Sequence, residues 1–108
     1  MMMMKMYKTN QKTVSKTFKF LNKRVFDGVL VEPDWDIYDF AEDQMLLGYY
    51  CDNTIGLVNE FFDKSEFVDT LCHEMTHMAQ EQVFETAVNH GSIFKKIMKY
   101  AREQGAIA

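Results

Sequence analysis

The sequence contains little cysteine, proline or glycine and no long hydrophobic segment. Its two cysteines, Cys51 and Cys72, are too few for a disulfide scaffold or a four-cysteine metal ribbon. Their apolar neighbours predict buried free thiols. One proline and five glycines among 108 residues leave no obvious linker. The longest apolar run, residues 45–51, is far shorter than the about 20 residues that span a bilayer, so no transmembrane helix is predicted.

The start of the chain also lacks the features of a secretory signal. Residues 1–6 are rich in methionine, but no continuous apolar segment and no small-residue cleavage site follow them. We expect residues 1–6 to be disordered or frayed and residues 7–108 to form a single domain, because a chain of this length supports one compact core. With its reduced cysteines, the chain is predicted to be cytoplasmic and monomeric.

Acidic residues are missing from the first quarter of the chain. Residues 1–26 hold seven of the twelve basic residues, whereas residues 27–108 hold all sixteen acidic residues and five basic ones. Five lysines form a stripe opposite the apolar face of the first predicted helix: Lys8, Lys12, Lys16, Lys19 and Lys23. Such a stripe can contact DNA phosphates weakly and without sequence readout. Alternatively, the stripe is a solvated outer face or lies on an anionic membrane surface. We expect no membrane binding.

Hydrophobic spacing predicts a helix, three strands and two further helices. The first helix starts at Tyr7 and ends near Asp27-Gly28, where glycine can take a left-handed conformation. The strands are predicted at residues 31–40, 45–51 and 54–59, and an Asp52-Asn53 turn joins the last two into a hairpin. Helices at residues 65–83, capped by Ser65, and 92–104 complete an α+β domain with a mostly antiparallel three-stranded sheet.

The most informative segment, residues 73–77, has the pattern H-E-x-x-H within a predicted helix. Residues four apart lie on one face of a helix, so His73 and His77 can direct imidazole nitrogens at one metal ion. Glu74 is placed to take a proton from water at that metal. Zinc suits such a site because it accepts neutral imidazoles and leaves a tetrahedral position open for water.

Two histidines hold zinc poorly, so a third protein ligand is needed. The remaining histidine, His90, lies in a predicted turn, and a chain reversal there can bring it back beneath the two helical ligands. The alternatives are that His90 is only a turn residue and that Glu81 or Glu85 is the third ligand. Glu81 follows His77 on the same helix and cannot easily approach from the opposite side, which makes Glu85 the stronger rival.

These residues resemble the SprT-like zinc metalloprotease family, which includes proteases of DNA–protein crosslinks. The similarity runs over most of the chain and is carried by Leu21-Asn22, residues 26–30, Trp35, residues 55–59, residues 70–79, and His90-Gly91 with Phe94. The metzincin pattern does not fit, because Gln80 and Val83 stand where it requires glycine and histidine.

The resemblance implies a zincin-like fold with one zinc ion per chain on His73, His77 and His90 and with Glu74 as the catalytic base. It further implies a zinc-dependent endopeptidase that acts on protein or peptide substrates, with DNA–protein crosslink repair as the expected setting. The four-cysteine ribbon that many relatives carry is not found before Ala108, so we expect a minimal form. A minimal domain of this size is expected of a phage or a mobile element, and a phage-encoded chain would be located in the host cytoplasm.

Two other functions stay open at this point. The chain can be a nucleic-acid-associated binding protein with a structural zinc site, or an inhibitor or adaptor that keeps the fold without turnover. A fourth ligand that closes the metal site, such as Cys72 or Glu85, would favour the structural site. Cys72 is poorly placed for that role, because neighbouring residues on a helix point about 100° apart.

Further residues are candidates for supporting roles. Tyr49, Tyr50 and Tyr100 can each donate a hydrogen bond to a developing oxyanion, or can simply be half-buried tyrosines. Asp69 lies one turn before His73 and can orient that ligand, although an acid in the first turn also stabilises the helix.

Overall fold

The structure is a computed structural model that describes residues 6–40 and 46–108. Of the segment predicted to be frayed, residues 1–6, only Met6 lies within the described residues, and Met45 of the second predicted strand lies outside them. Within these ranges, three helices and five short strands form an α+β fold, as predicted. None of the helices described is both long and apolar enough to cross a membrane.

Helix α1 spans Gln11–Phe26. It begins where the side chain of Asn10 accepts a hydrogen bond from the Thr13 amide, 2.9 Å away. It ends at Asp27 and Gly28, whose φ angles of 59° and 76° are left-handed, and the predicted glycine conformation is therefore confirmed. The buried face of α1 consists of Val14, Phe18, Leu21, Asn22 and Phe26.

The predicted start of α1 at Tyr7 is wrong, because Tyr7–Lys8 form strand β1. β1 pairs antiparallel with β5, Glu60–Phe61, and the Tyr7 ring stacks on Phe67 with 5.5 Å between centroids. The extended conformation of Asn10 separates strand from helix. Lys8 is consequently not part of the helical lysine stripe, and its Nζ lies 4.0 Å from a carboxylate oxygen of Glu60.

The other strands form a three-stranded sheet in the order β2-β4-β3. They are β2 (Asp34–Tyr38), β3 (Gly48–Cys51) and β4 (Thr54–Val58). The predicted hairpin of β3 and β4 is confirmed, and its turn residues Asp52 and Asn53 have φ angles of 45° and 61°, as a tight two-residue turn requires. β2 pairs with β4 in parallel, so this sheet is mixed, whereas the β1–β5 pair is antiparallel.

Helix α2 spans Lys64–Gln82 and helix α3 spans Ser92–Glu103. The N-cap of α2 is Asp63 and not Ser65, since the Asp63 side chain accepts a hydrogen bond from the Glu66 amide at 2.8 Å. Glu66 in turn accepts one from the Phe62 amide at 3.1 Å. These two hydrogen bonds stabilise a helix start at Asp63 and favour it as the N-cap over Ser65.

Helix α2 contacts the sheet, α1 and α3, and its apolar residues run through the hydrophobic core. Cys72 is fully buried there, as predicted, and burial raises the pKa of its thiol to about 12. Cys51, in contrast, is exposed, so the prediction of a buried thiol is wrong at that position. It is the last residue of β3, which is an edge strand, and it directly precedes the solvent-exposed turn.

Gly56 in the central strand lies directly opposite Tyr49 in the β3–β4 register. A Cβ atom on Gly56 would overlap the Tyr49 ring, so the aromatic side chain occupies the space that the glycine leaves. The Tyr49 hydroxyl donates a hydrogen bond to Asp36 on β2, and its ring stacks on Tyr38. Tyr49 thus crosses β4 and ties the two outer strands together.

We expect Gly56→Ala to destabilise the fold by about 1–3 kcal/mol, because the added methyl group displaces the Tyr49 ring. In a Tyr49→Ala background the same substitution should cost much less, since the ring is no longer there. Urea unfolding followed by circular dichroism measures the four free energies. Equal costs in the two backgrounds would contradict the close packing of Gly56 against Tyr49.

Candidate metal centre

His73 and His77 lie one helical turn apart on α2 and point to the same side. Their Nε2 atoms are 3.2 Å apart, and the His77 side chain is only 8% exposed. The spacing of four residues on a helix predicts this arrangement, because such side chains lie on the same face. Burial lowers the pKa of both imidazoles below the usual range, so that both are neutral at pH 7, which is the form that binds metals.

The chain reversal between α2 and α3 brings His90 to the same point. Its Nε2 atom lies 3.1 Å from those of His73 and His77. The side chain of Asn89 accepts a hydrogen bond from the Gly91 amide at 2.8 Å, which forms a tight turn around His90. A Cβ atom on Gly91 would lie 2.8 Å from that same Asn89 oxygen, so a larger residue there would force the Asn89 side chain to move.

The three nitrogen atoms form a nearly equilateral triangle that fits a tetrahedral zinc ion. Zn–N bonds of about 2.0–2.1 Å at tetrahedral angles separate two ligand nitrogens by about 3.3 Å, close to the observed 3.1–3.2 Å. The side-chain oxygen of Gln80 lies 2.9 Å from His77 Nδ1. His77 Nδ1–H donates to this oxygen, which leaves the Nε2 lone pair of His77 directed at the other two rings.

Phe94 packs against all three imidazole rings. The distances from its centroid to the ring centroids of His73, His77 and His90 are 4.7, 4.9 and 4.8 Å. It lies in the first turn of α3 and is 8% exposed. The apolar ring beneath the histidines restricts their rotation and keeps water away from one side of the site.

Glu74 lies beside the triangle, next to an open cleft. The cleft has a volume of about 290 Å³ and is lined by His73, Glu74, Asp69 and Thr70 from α2 and by Leu47 and Gly48. Glu74 is 7% exposed, and burial raises the pKa of its carboxyl to about 7. A general base acting near neutral pH needs a pKa in this range.

Glu81 and Glu85, the alternative candidates for the third metal ligand, have other roles in the structure. Glu81 accepts a hydrogen bond of 2.7 Å from the Tyr50 hydroxyl. Glu85 is exposed and has a left-handed φ of 50°, because it forms the turn that closes α2, in which the Thr86 amide donates to the Gln80 carbonyl. Among the described residues, the one cluster of three or more potential ligands is His73, His77 and His90.

The candidates for supporting roles are not at the centre of the site. Tyr49 and Tyr50 donate their hydroxyl hydrogens to Asp36 and Glu81. Tyr100 is 47% exposed and lines a separate apolar cavity between the helices. Asp69 lines the cleft, and its negative charge opposes the lowering of the His73 pKa, but it makes no hydrogen bond to that ring in the described structure.

Sequence reasoning missed two side chains near the site, Gln80 and Tyr38. Gln80 is 1% exposed and touches His77, and its position three residues after His77 on an apolar helix face was the available signal. Tyr38 donates a hydrogen bond of 2.7 Å to the Leu46 carbonyl. Burial, followed by the nearby charge of Glu74, raises the pKa of Tyr38 to about 12. No sequence signal connected Tyr38 with the metal centre.

The comparison with known proteins agrees with this geometry. The model of the SprT-like family matches residues 14–107. The chain belongs to the SprT-like family. No curated protein and no solved structure matches the chain significantly. The matched range includes the three histidines, Glu74 and Gln80 of this SprT-like chain, and membership suggests a metalloprotease-type function.

We expect the SprT-like chain to bind one zinc ion, and His90→Ala to lose it or bind it far more weakly, because two imidazoles hold zinc poorly. Elemental analysis after dialysis against metal-free buffer measures the zinc content per chain. Glu85→Gly is the matched control, since glycine adopts the left-handed turn readily and the variant should keep its zinc. Zinc retained by His90→Ala and lost by Glu85→Gly would identify Glu85 as the third ligand.

Proposed function

We propose that this protein is a zinc-dependent endopeptidase. The observation that carries the proposal is the convergence of three Nε2 atoms within 3.2 Å beside the buried carboxyl group of Glu74 and an open cleft. His73, His77 and His90 would hold the zinc ion. When bound, zinc acidifies water and polarises a peptide carbonyl group.

Glu74 is the proton carrier in this proposal. Its carboxylate takes a proton from the attacking water and passes it to the amine that leaves when the peptide bond breaks. The burial that raises its pKa to about 7 supports both steps, because the group then accepts and releases a proton with little bias at neutral pH. The cleft between α2 and residues 47–48 offers a peptide direct access to Glu74.

The structural-zinc alternative is less well supported. A structural site needs a fourth protein ligand that excludes water. Cys72 is buried in the core, and no carboxylate or thiol of the described residues joins the three histidines. The arrangement therefore favours a site with room for water and substrate.

Glu74→Gln should reduce peptide hydrolysis by at least about 100-fold, because the amide cannot accept the proton. Zinc content and thermal stability should change little, since the neutral amide has the same shape and lies in a buried position. Hydrolysis of casein and of a fluorogenic peptide mixture, measured beside zinc content, provides the test. Glu81→Gln is the control, because its amide oxygen can still accept from Tyr50. Undiminished hydrolysis by Glu74→Gln would remove Glu74 from the mechanism.

We further propose a weak DNA contact that would direct the protease to DNA-associated proteins. Four exposed lysines lie along one face of α1: Lys12, Lys16, Lys19 and Lys23. A cavity of about 620 Å³ next to them is lined by Lys12, Lys16 and Lys64 together with the rings of Tyr7 and Phe20. Phe20 is 49% exposed and Tyr7 is half-buried. Lysines beside accessible aromatic rings are the combination that binds single-stranded nucleic acid without sequence preference.

Replacing Lys12, Lys16 and Lys64 with serine should lower DNA affinity several-fold and flatten its dependence on salt, because fewer counterions are released. Fluorescence anisotropy with a labelled oligonucleotide at several salt concentrations measures both quantities. The matched control replaces the three exposed lysines of α3, Lys95, Lys96 and Lys99, and should have little effect. A wild-type protein without measurable affinity at low salt would refute the DNA contact.

A further inference from the structure

Gln80 is a buried polar side chain that touches both segments carrying the histidines. It is 1% exposed and lies on α2, three residues after His77. Its side-chain oxygen is 2.9 Å from His77 Nδ1 and 3.4 Å from the backbone nitrogen of Asn89. The backbone carbonyl oxygen of Gln80 accepts a hydrogen bond from the Thr86 amide at 2.9 Å.

The contact with Asn89 decides which atom of the Gln80 amide faces His77. A backbone N–H can only donate, so the atom that receives it must be the side-chain oxygen. The same oxygen accepts from His77, and His77 must therefore carry its proton on Nδ1. This tautomer leaves Nε2 unprotonated and directed at His73 and His90.

The same side chain also holds the segment that delivers the third histidine. Residues 83–89 leave α2, turn at Glu85 and return to His90. The Gln80 side chain accepts a hydrogen bond from the Asn89 amide, and the backbone carbonyl of the same residue accepts one from the Thr86 amide. Asn89 then forms the turn that positions His90. One buried amide thus acts on two of the three histidines through separate hydrogen bonds.

From this geometry we propose that Gln80 is the positioning residue of the metal centre, which fixes the tautomer of His77 and the approach of His90. The inference rests on the proposed zinc site and adds to it a residue that makes no contact with the ion. A neutral amide in this role differs from a carboxylate acceptor, because it orients the imidazole without adding a negative charge to the buried site.

Gln80→Met tests the proposal, because methionine has similar length, forms helices well and suits buried surroundings, but its side chain cannot accept the hydrogen bonds from His77 and Asn89. Its backbone carbonyl can still accept from Thr86, so the turn after α2 keeps that bond. We expect its zinc affinity, measured by competition with a chromophoric chelator, to fall about 10- to 100-fold. Gln80→Glu keeps an acceptor oxygen and should recover most of the loss. Gln82→Met is the matched control on the same helix, since the exposed Gln82 side chain donates to the Asn53 side chain on the surface, and it should bind zinc like the wild type.

A second measurement uses the metal-free protein and does not depend on zinc. Because the chain has three histidines, nitrogen-15 NMR of the imidazoles gives three signal sets, which single histidine variants assign. We expect His77 to be protonated on Nδ1 in the wild type and in Gln80→Glu, and to lose this preference in Gln80→Met.

The outcomes separate the inference from the proposed function. Wild-type affinity in Gln80→Met, an equal loss in Gln82→Met, or a wild-type His77 protonated on Nε2 would each overturn the role of Gln80. A wild-type protein that binds no zinc would refute the proposed protease, whereas the NMR measurement would still decide whether Gln80 sets the His77 tautomer.

Discussion

Three imidazole nitrogens held within 3.2 Å of one another repel each other through their lone pairs unless a proton or a cation lies among them. The fold supplies the restraints that this arrangement needs. Phe94 packs against all three rings, and the amide of Gln80 fixes one of them. Burial keeps His73 and His77 neutral by lowering their pKa values. The imidazole rings are therefore oriented by the Phe94 ring and the Gln80 amide, neither of which is a metal ligand.

The position of α2 makes these restraints possible. Its apolar side is anchored against β4 and α3 in the core, while His73 and Glu74 face the cleft beside Gly48. A Cβ atom on Gly48 would lie 3.1 Å from the Thr70 methyl group, so the absence of a side chain lets the edge strand approach the helix closely. Gly48 and Glu74 line the same cleft, and burial of Glu74 raises the pKa of its carboxyl group.

Local sequence patterns predicted much of this molecule. The helical spacing of residues 73 and 77 and the Asp52-Asn53 turn need only neighbouring residues to be recognised. His90 is the only histidine of the chain besides His73 and His77, so few residues competed for the role of third metal ligand. The parallel pairing of β2 with β4 was not predictable, because both orientations bury the same alternating residues. Tyr38 and the contact of Gln80 with Asn89 were not predictable locally, because these partners lie in segments whose approach depends on the whole fold. The contact of Gln80 with His77 on the same helix did have a local signal and was missed.

The strand order has a consequence for the sequence of events in folding. β4 lies between β2 and β3, yet it follows both in the chain. The β3–β4 hairpin consists of local contacts and can close within microseconds, whereas β2 must add to the free edge of β4 across a longer loop. We expect the hairpin, and with it the Gly48 side of the cleft, to form before β2 docks. The hydrogen bond from Tyr38 to the Leu46 carbonyl then joins β2 to the segment that leads into the hairpin.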